Sequence, residues 1–179
     1  LMMLRMMWAT AVCARIGPRI GKAEPGASMR SDNRLSRMLH VLIHMDRHDG
    51  RATSETIAGM LNTNPVVVRR TMAGLRDAGL VRSEKGHGGG WLLGRPLKDI
   101  TLLDIHTALG EPPVFAIGPS SDQPDCLVEQ AVNAALGDAL QEAEALLLAR
   151  FGKITLADLA RDFDKRFAKS PRAQTQRRR

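Results

Sequence analysis

The stretch Asn64 to Gly94, NPVVVRRTMAGLRDAGLVRSEKGHGGGWLLG, decides the fold. Asparagine caps helices and proline fits their first position, so Asn64 and Pro65 predict a helix start, and Gly79 predicts its end after Asp77 or Ala78. Between them Val68, Met72 and Leu75 recur at steps of four and three, which places them on one inward face. Asn64, Val66, Val67, Arg69, Arg70, Ala73 and Gly74 occupy the remaining circumference. That face is small and basic, so a duplex backbone can approach it and two arginines can reach bases or phosphates. An ordinary solvated face would also carry such charges. After Gly79, LVRSEK alternates as a strand does, GHGGG forms a tip, and WLLGRP supplies a second strand, together a β-hairpin. Gly86, Gly88, Gly89 and Gly90 allow that tip to lie close to another surface. A glycine-rich loop can instead cradle a nucleotide phosphate, but it then precedes a helix, and here a strand follows.

Upstream, Leu35, Leu39, Leu42 and Met45, with Met38 and Ile43 beside them, predict a helix over 34–48, started by Ser31 or Asp32 and ended by Gly50. Ser54 is the expected cap of a short second helix through Asn62, with Ile57, Ala58 and Leu61 inward and Glu55 in its first turn, where the helix dipole favours an anion. Helix, helix, tight turn, helix is a helix-turn-helix, and the hairpin makes it a winged one.

Charge follows the same division. The 179 residues hold 26 Lys+Arg against 19 Asp+Glu, a net +7. Residues 1–29 carry +3, residues 30–98 carry +6, residues 99–167 carry −7 and residues 168–179 carry +5. A basic half and an acidic half point to a polyanion on one side only. With aromatics at 3% and no Tyr, modules that stack single-stranded bases on aromatic platforms are disfavoured. The two cysteines, Cys13 and Cys126, make no disulfide framework and fit a reduced, cytoplasmic setting. No run of eighteen apolar residues predicts a membrane span. Residues 1–28 are expected to form an extension outside the fold, with a secretory leader as the alternative. The domains expected are the winged helix at 29–98, a helical region at 99–167, and a disordered basic tail at 168–179.

The segment from Ser54 onward, SETIAGMLNTNPVVVRRTMAGLRDAGLVRSEKGHGGGWLLGRP, followed by DITLLDIHTALGEP, resembles the bacterial winged-helix transcription regulators of the Rrf-two family. Trp91 stands where that family usually has Tyr. The resemblance spans nearly all of 29–167 and implies a homodimeric regulator reading a roughly palindromic operator. Family members that hold an iron–sulfur cluster use three closely spaced cysteines in the segment that here runs from Glu111 to Cys126. Only Cys126 is present, and cluster ligation needs several thiolates, so no cofactor is expected.

Within the second half, Thr101 with Asp104 and Thr155 with Asp158 are capping-box starts to two helices, the first through Leu109. Between them 125–150 predicts one helix of about 25 residues, roughly 37 Å long. Its stripe of Leu127, Val128, Ala131, Ala134, Ala135, Leu136, Leu140, Ala143, Leu146 and Leu147 suits either an intramolecular core or a dimer interface, and the resemblance favours the dimer. Cys126, at the start of this helix, is a candidate redox-sensing thiolate or a buried structural residue. His40, His44 and His48 fall on one helical face, a spacing that serves packing or, less simply, a metal.

These readings converge on a mainly α protein with a small β-hairpin: a winged helix-turn-helix DNA-binding domain followed by a long C-terminal dimerisation helix. The function expected is a sequence-specific regulator, a repressor, acting as a homodimer on double-stranded DNA under a small-molecule or redox signal. The residues assigned to DNA are Ser54, Asn64, Val66, Val67, Arg69 and Arg70, with Lys85, His87 and Gly88 of the wing. The alternative is a protein-interaction module docking a partner through the acidic half. No catalytic order, metal signature or phosphate loop supports an enzyme.

Overall fold

The computed structural model describes residues 32–47, 51–86 and 89–169, and these fall into two compact units that divide between Arg95 and Pro96. The extension expected at 1–28, His48, Gly50 and nearly all of the basic tail lie outside the described residues.

The first unit opens with α1 (Arg34–Arg47). Its amide start is met by Asp32, whose Oδ1 accepts from the Arg34 N–H at 2.9 Å. Met38, Val41, Leu42 and Met45 form its buried face, so the helix is turned slightly from the expected stripe and Leu35 and Leu39 are only half-buried. A two-residue strand, β1 (Arg51–Ala52), leads into α2 (Ser54–Leu61). Thr53, not Ser54, is the cap: its hydroxyl accepts from the Thr56 N–H at 3.1 Å, and Ser54 is already helical. Asn62 ends α2 at φ 48°, a left-handed conformation that asparagine tolerates, and Arg37 of α1 donates to the terminal Leu61 carbonyl at 2.6 Å.

Helix α3 (Pro65–Asp77) has the predicted bounds and the predicted cap, Asn64 Oδ1 accepting from Val66 N–H at 2.8 Å. Val68, Met72 and Leu75 are its buried residues, as the four-and-three spacing required. Burial of such side chains is worth about 1.5–3 kcal/mol each, enough to fix the rotation of the helix about its axis. Gly79, at φ 70°, turns the chain out of α3, and the Leu80 N–H closes back on the Leu75 carbonyl at 2.9 Å. Arg95 covers the same helix end, donating to the carbonyls of Ala78 at 3.0 Å and Gly79 at 3.4 Å.

The hairpin consists of β2 (Val81–Glu84) and β3 (Gly90–Leu93) in antiparallel register, Val81 opposite Leu93 and Glu84 opposite Gly90. It belongs to a larger sheet than the sequence suggested, because β1 pairs with the other edge of β3, Ala52 opposite Trp91, giving the order β1-β3-β2. Two residues are too few to show an alternating pattern, so β1 carries no local signal. Gly90 is required where these strands meet, since a Cβ there would stand 2.9 Å from the Ala52 carbonyl oxygen. In the centre of the sheet Trp91 is buried, and its indole Nε1–H donates to the Ser54 hydroxyl at 2.9 Å.

The second unit contains a 3-10 turn at Leu97–Asp99, then α4 (Leu102–Ala108), α5 (Leu127–Phe151) and α6 (Leu156–Ala168). Both expected capping boxes form, Thr101 with Asp104 and Thr155 with Asp158, each with its two reciprocal hydrogen bonds. Unforeseen is that the two boxes adjoin: Leu102 N–H donates to the Ile154 carbonyl at 3.0 Å and Leu156 N–H to the Ile100 carbonyl at 2.9 Å. Ile100, Ile105 and Leu156 are fully buried around this bridge. Helix α5 has 25 residues and none of them is buried; Leu136, Leu140, Leu147 and Leu148 are half-buried. Among the described residues no helix is long and apolar enough to cross a membrane.

The Trp91–Ser54 bond generates a prediction. Ser54→Ala leaves the indole N–H buried without its acceptor and lowers unfolding stability by about 1–3 kcal/mol. A urea denaturation midpoint measures it, and a loss below about 0.5 kcal/mol would show that the bond contributes little.

Candidate nucleic-acid interface

Helix α3 presents the candidate surface because its core side is so completely committed. With Val68, Met72 and Leu75 at 2% exposure or less, Val66 and Val67 stand 57% and 54% exposed, unusual for valines in a small domain. Arg69 and Arg70 are exposed beside them. Two bare valines on a basic helix face offer methyl groups that can meet thymine methyls, and arginine offers the paired donors that guanine accepts.

The structure divides the cations of this unit into two groups. Arg34 is held by Asp32, Arg51 by Glu84 at 2.7 Å, Arg69 by Glu55 at 2.8 Å and Arg76 by Asp77 at 2.8 Å. Arg37 and Arg95 serve as the helix-end donors already described. Among the described residues of this unit, Arg70 on α3, Arg82 on β2 and Lys85 just beyond β2 have no carboxylate or carbonyl partner. All three are exposed, so the exposed, unpartnered cations among the described residues of this unit sit on α3 and the wing.

The residues assigned to DNA from the sequence therefore occupy different situations. Val66, Val67 and Arg70 are exposed on α3, and Lys85 is exposed at the root of the hairpin tip. Asn64 is exposed, with its Oδ1 engaged in capping and only its amide nitrogen left to offer. Ser54 is at 8% exposure with its hydroxyl turned to Trp91, a partner inside the fold. His87 and Gly88 lie outside the described residues. Arg69 reaches Glu55 on α2, and the Glu55 carboxyl is held below the usual carboxylate range, first by its own backbone N–H and then by the Arg69 guanidinium. Two charged neighbours of this surface were not among the residues assigned from the sequence. Arg82 alternates outward from buried Val81, a signal that was readable, whereas the approach of Glu55 to Arg69 spans 14 positions and has no local signature.

The segment from Glu111 to Cys126 is held by side chains of α5. Glu129 accepts from the Gln123 N–H at 2.9 Å, Gln130 donates to the Pro124 carbonyl at 2.9 Å, and Asn133 bonds both the N–H and the carbonyl of Ser120, at 3.1 and 2.7 Å. Cys126 is the N-cap of α5, half-buried and without a side-chain capping bond. His40 and His44 lie side by side, ring centroids 4.6 Å apart. Among the described residues no three His, Cys, Asp or Glu gather where they could hold a metal ion.

Comparison with known proteins agrees with this architecture. Residues 31–162 match the family described as "Rrf2: Iron-dependent Transcriptional regulator". YwnA of Bacillus subtilis (strain 168), assigned by name to the HTH-type transcriptional regulators, is 30% identical over 130 residues, covering 72% of this chain and 95% of that protein. A crystal structure described as a transcriptional regulator from Lactobacillus plantarum superposes with a TM-score of 0.61 at 26% identity, covering 79% of this chain and 97% of that one. T. potens IscR shares the fold, with a TM-score of 0.53 at 23% identity, covering 81% of this chain and 95% of that one.

Proposed function

The chain belongs to the Rrf2 family of transcriptional regulators, and from that premise we propose that it represses transcription as a homodimer bound to a palindromic operator, with α3 in the major groove and the wing against the flanking backbone. The observation that carries this reading is the outward face of α3, where exposed Val66 and Val67 adjoin an arginine without a protein partner. Val66 and Val67 read thymine methyls, Arg70 contacts guanine or phosphate, and Lys85 and Arg82 supply backbone contacts from the hairpin. A DNA partner supports a cytoplasmic setting for the protein. It is a regulator and not an enzyme.

Homodimerisation rests on α5. Leu127, Val128, Val132 and Leu146 are between 57% and 78% exposed on a helix without a single buried residue. So much bare apolar surface on one helix is the mark of an interaction face, and a twin helix covers it while bringing two α3 helices to two half-sites.

A resident iron–sulfur cluster does not fit the thiols of this segment. Cys126 is the one thiol between Glu111 and α5, no metal-binding group assembles among the described residues, and the segment is fastened by Glu129, Gln130 and Asn133 instead. The regulatory signal is accordingly a small molecule or a redox change sensed without a resident cluster.

Each part has its test. Arg70→Ala should weaken binding by about 1–3 kcal/mol and flatten the dependence of affinity on salt by about one contact, read by titrating labelled duplex at several salt concentrations. Salt-insensitive or absent binding by the wild-type protein would favour the protein-docking alternative. Leu146→Glu, which buries a charge if the helices pair, should shift the protein from dimer to monomer in sedimentation equilibrium. Protein purified without oxygen should lack a visible absorbance band, and a band that bleaches in air would restore the cluster.

A further inference from the structure

Arg69 and Arg70 are neighbours on one exposed helix face, yet the structure treats them differently. Nη2 of Arg69 donates to Oε1 of Glu55 at 2.8 Å, joining α3 to the first turn of α2, while Arg70 has no partner among the described residues. Both members of the pair are well exposed, with side chains 58% and 64% accessible, so in water the pair is a weak fastening. Against a duplex the balance changes. Water leaves, the Coulomb attraction between the two strengthens, and the carboxylate repels any phosphate that approaches Arg69 as a simple cation. A guanidinium has five N–H donors, and the contact with Glu55 leaves donors free in a fixed orientation.

We propose that Glu55 is a specificity-determining positioning residue: by holding Arg69 it removes that arginine from generic phosphate attraction and aims its remaining donors at a base edge. The proposal rests on α3 being the DNA-reading helix. Generic attraction then falls to Arg70, Arg82 and Lys85, and the neutralised pair at Arg69 distinguishes operator from bulk DNA. Without the carboxylate, Arg69 becomes one more mobile cation that any phosphate satisfies.

The experiment uses the full chain, wild type and the variants Glu55→Gln, Arg69→Ala and their double. Two duplexes are titrated across a salt series, one selected by the wild-type protein from genomic fragments and one of random sequence. Glu55→Gln should tighten binding to the random duplex by about 3- to 10-fold and steepen its salt slope by about one contact, with affinity for the selected duplex nearly unchanged. The ratio between the two falls by the same factor. In the Arg69→Ala background the Glu55→Gln change should retain only a small share of that shift. An unchanged ratio and slope overturn the proposal, and so does an equal shift in both backgrounds, which reduces Glu55 to a bare negative charge. Wild-type protein that selects no duplex would overturn the DNA reading itself, an outcome visible before any variant is compared. Glu55 is exposed, and matching denaturation curves establish that the variants fold.

Discussion

A single buried hydrogen bond, from the indole of Trp91 to the hydroxyl of Ser54, sets the geometry on which the winged-helix unit depends. Trp91 sits in the central strand of a three-stranded sheet, and a tryptophan can be buried there only if its N–H finds an acceptor. Ser54 supplies that acceptor from the first turn of α2. The root of the wing and the start of the helix-turn-helix are thereby fixed to one another. Only Asn62 to Asn64 separate α2 from α3, so the orientation of α3 follows from that of α2, and both follow from the anchored tryptophan. Gly90 belongs to the same constraint, because its missing Cβ lets β3 close against the Ala52 carbonyl beside the indole.

The overall charge is a poor guide to what this unit offers a polyanion. Most of its described arginines are engaged, in ion pairs with nearby carboxylates or as donors to helix-end carbonyls. Ion pairing cancels their long-range field without adding much stability, since exposed pairs are worth about 0–1 kcal/mol. Among the described residues of this unit, the exposed cations with neither a carboxylate nor a carbonyl partner are Arg70, Arg82 and Lys85, on the two elements that a winged helix presents to a duplex.

Features set by neighbours within four positions were legible in the sequence. The bounds of α3, its Asn64 cap, its buried Val68, Met72 and Leu75, and both capping boxes emerged as expected because each is decided within one turn of helix. What escaped was decided across the fold. Serine and threonine are both good caps, so Thr53 and Ser54 could not be ranked until Trp91 claimed the Ser54 hydroxyl. The strand β1 exists only because β3 has a free edge beside it. In the site, the exposed valines were predicted by periodicity, while the pairing that separates Arg69 from Arg70 depends on how α2 and α3 cross.

The second unit is firm at its base and bare along α5. Its chain leaves the bridge of Ile100 to Leu102, passes through α4 and the pinned segment, runs the length of α5, and returns to that same bridge at Ile154 and Leu156. The two reciprocal backbone bonds and the paired capping boxes close the base of this excursion firmly. They do nothing for its middle, where a helix roughly 37 Å long buries no side chain and exposes Val132 and Leu146. A 25-residue helix gains most of its stability from packing and not from propensity, and alanine-rich faces gain it by close approach to another helix. The anchor of this unit is complete within one chain, while its long helix leaves Leu127, Val128, Val132 and Leu146 exposed.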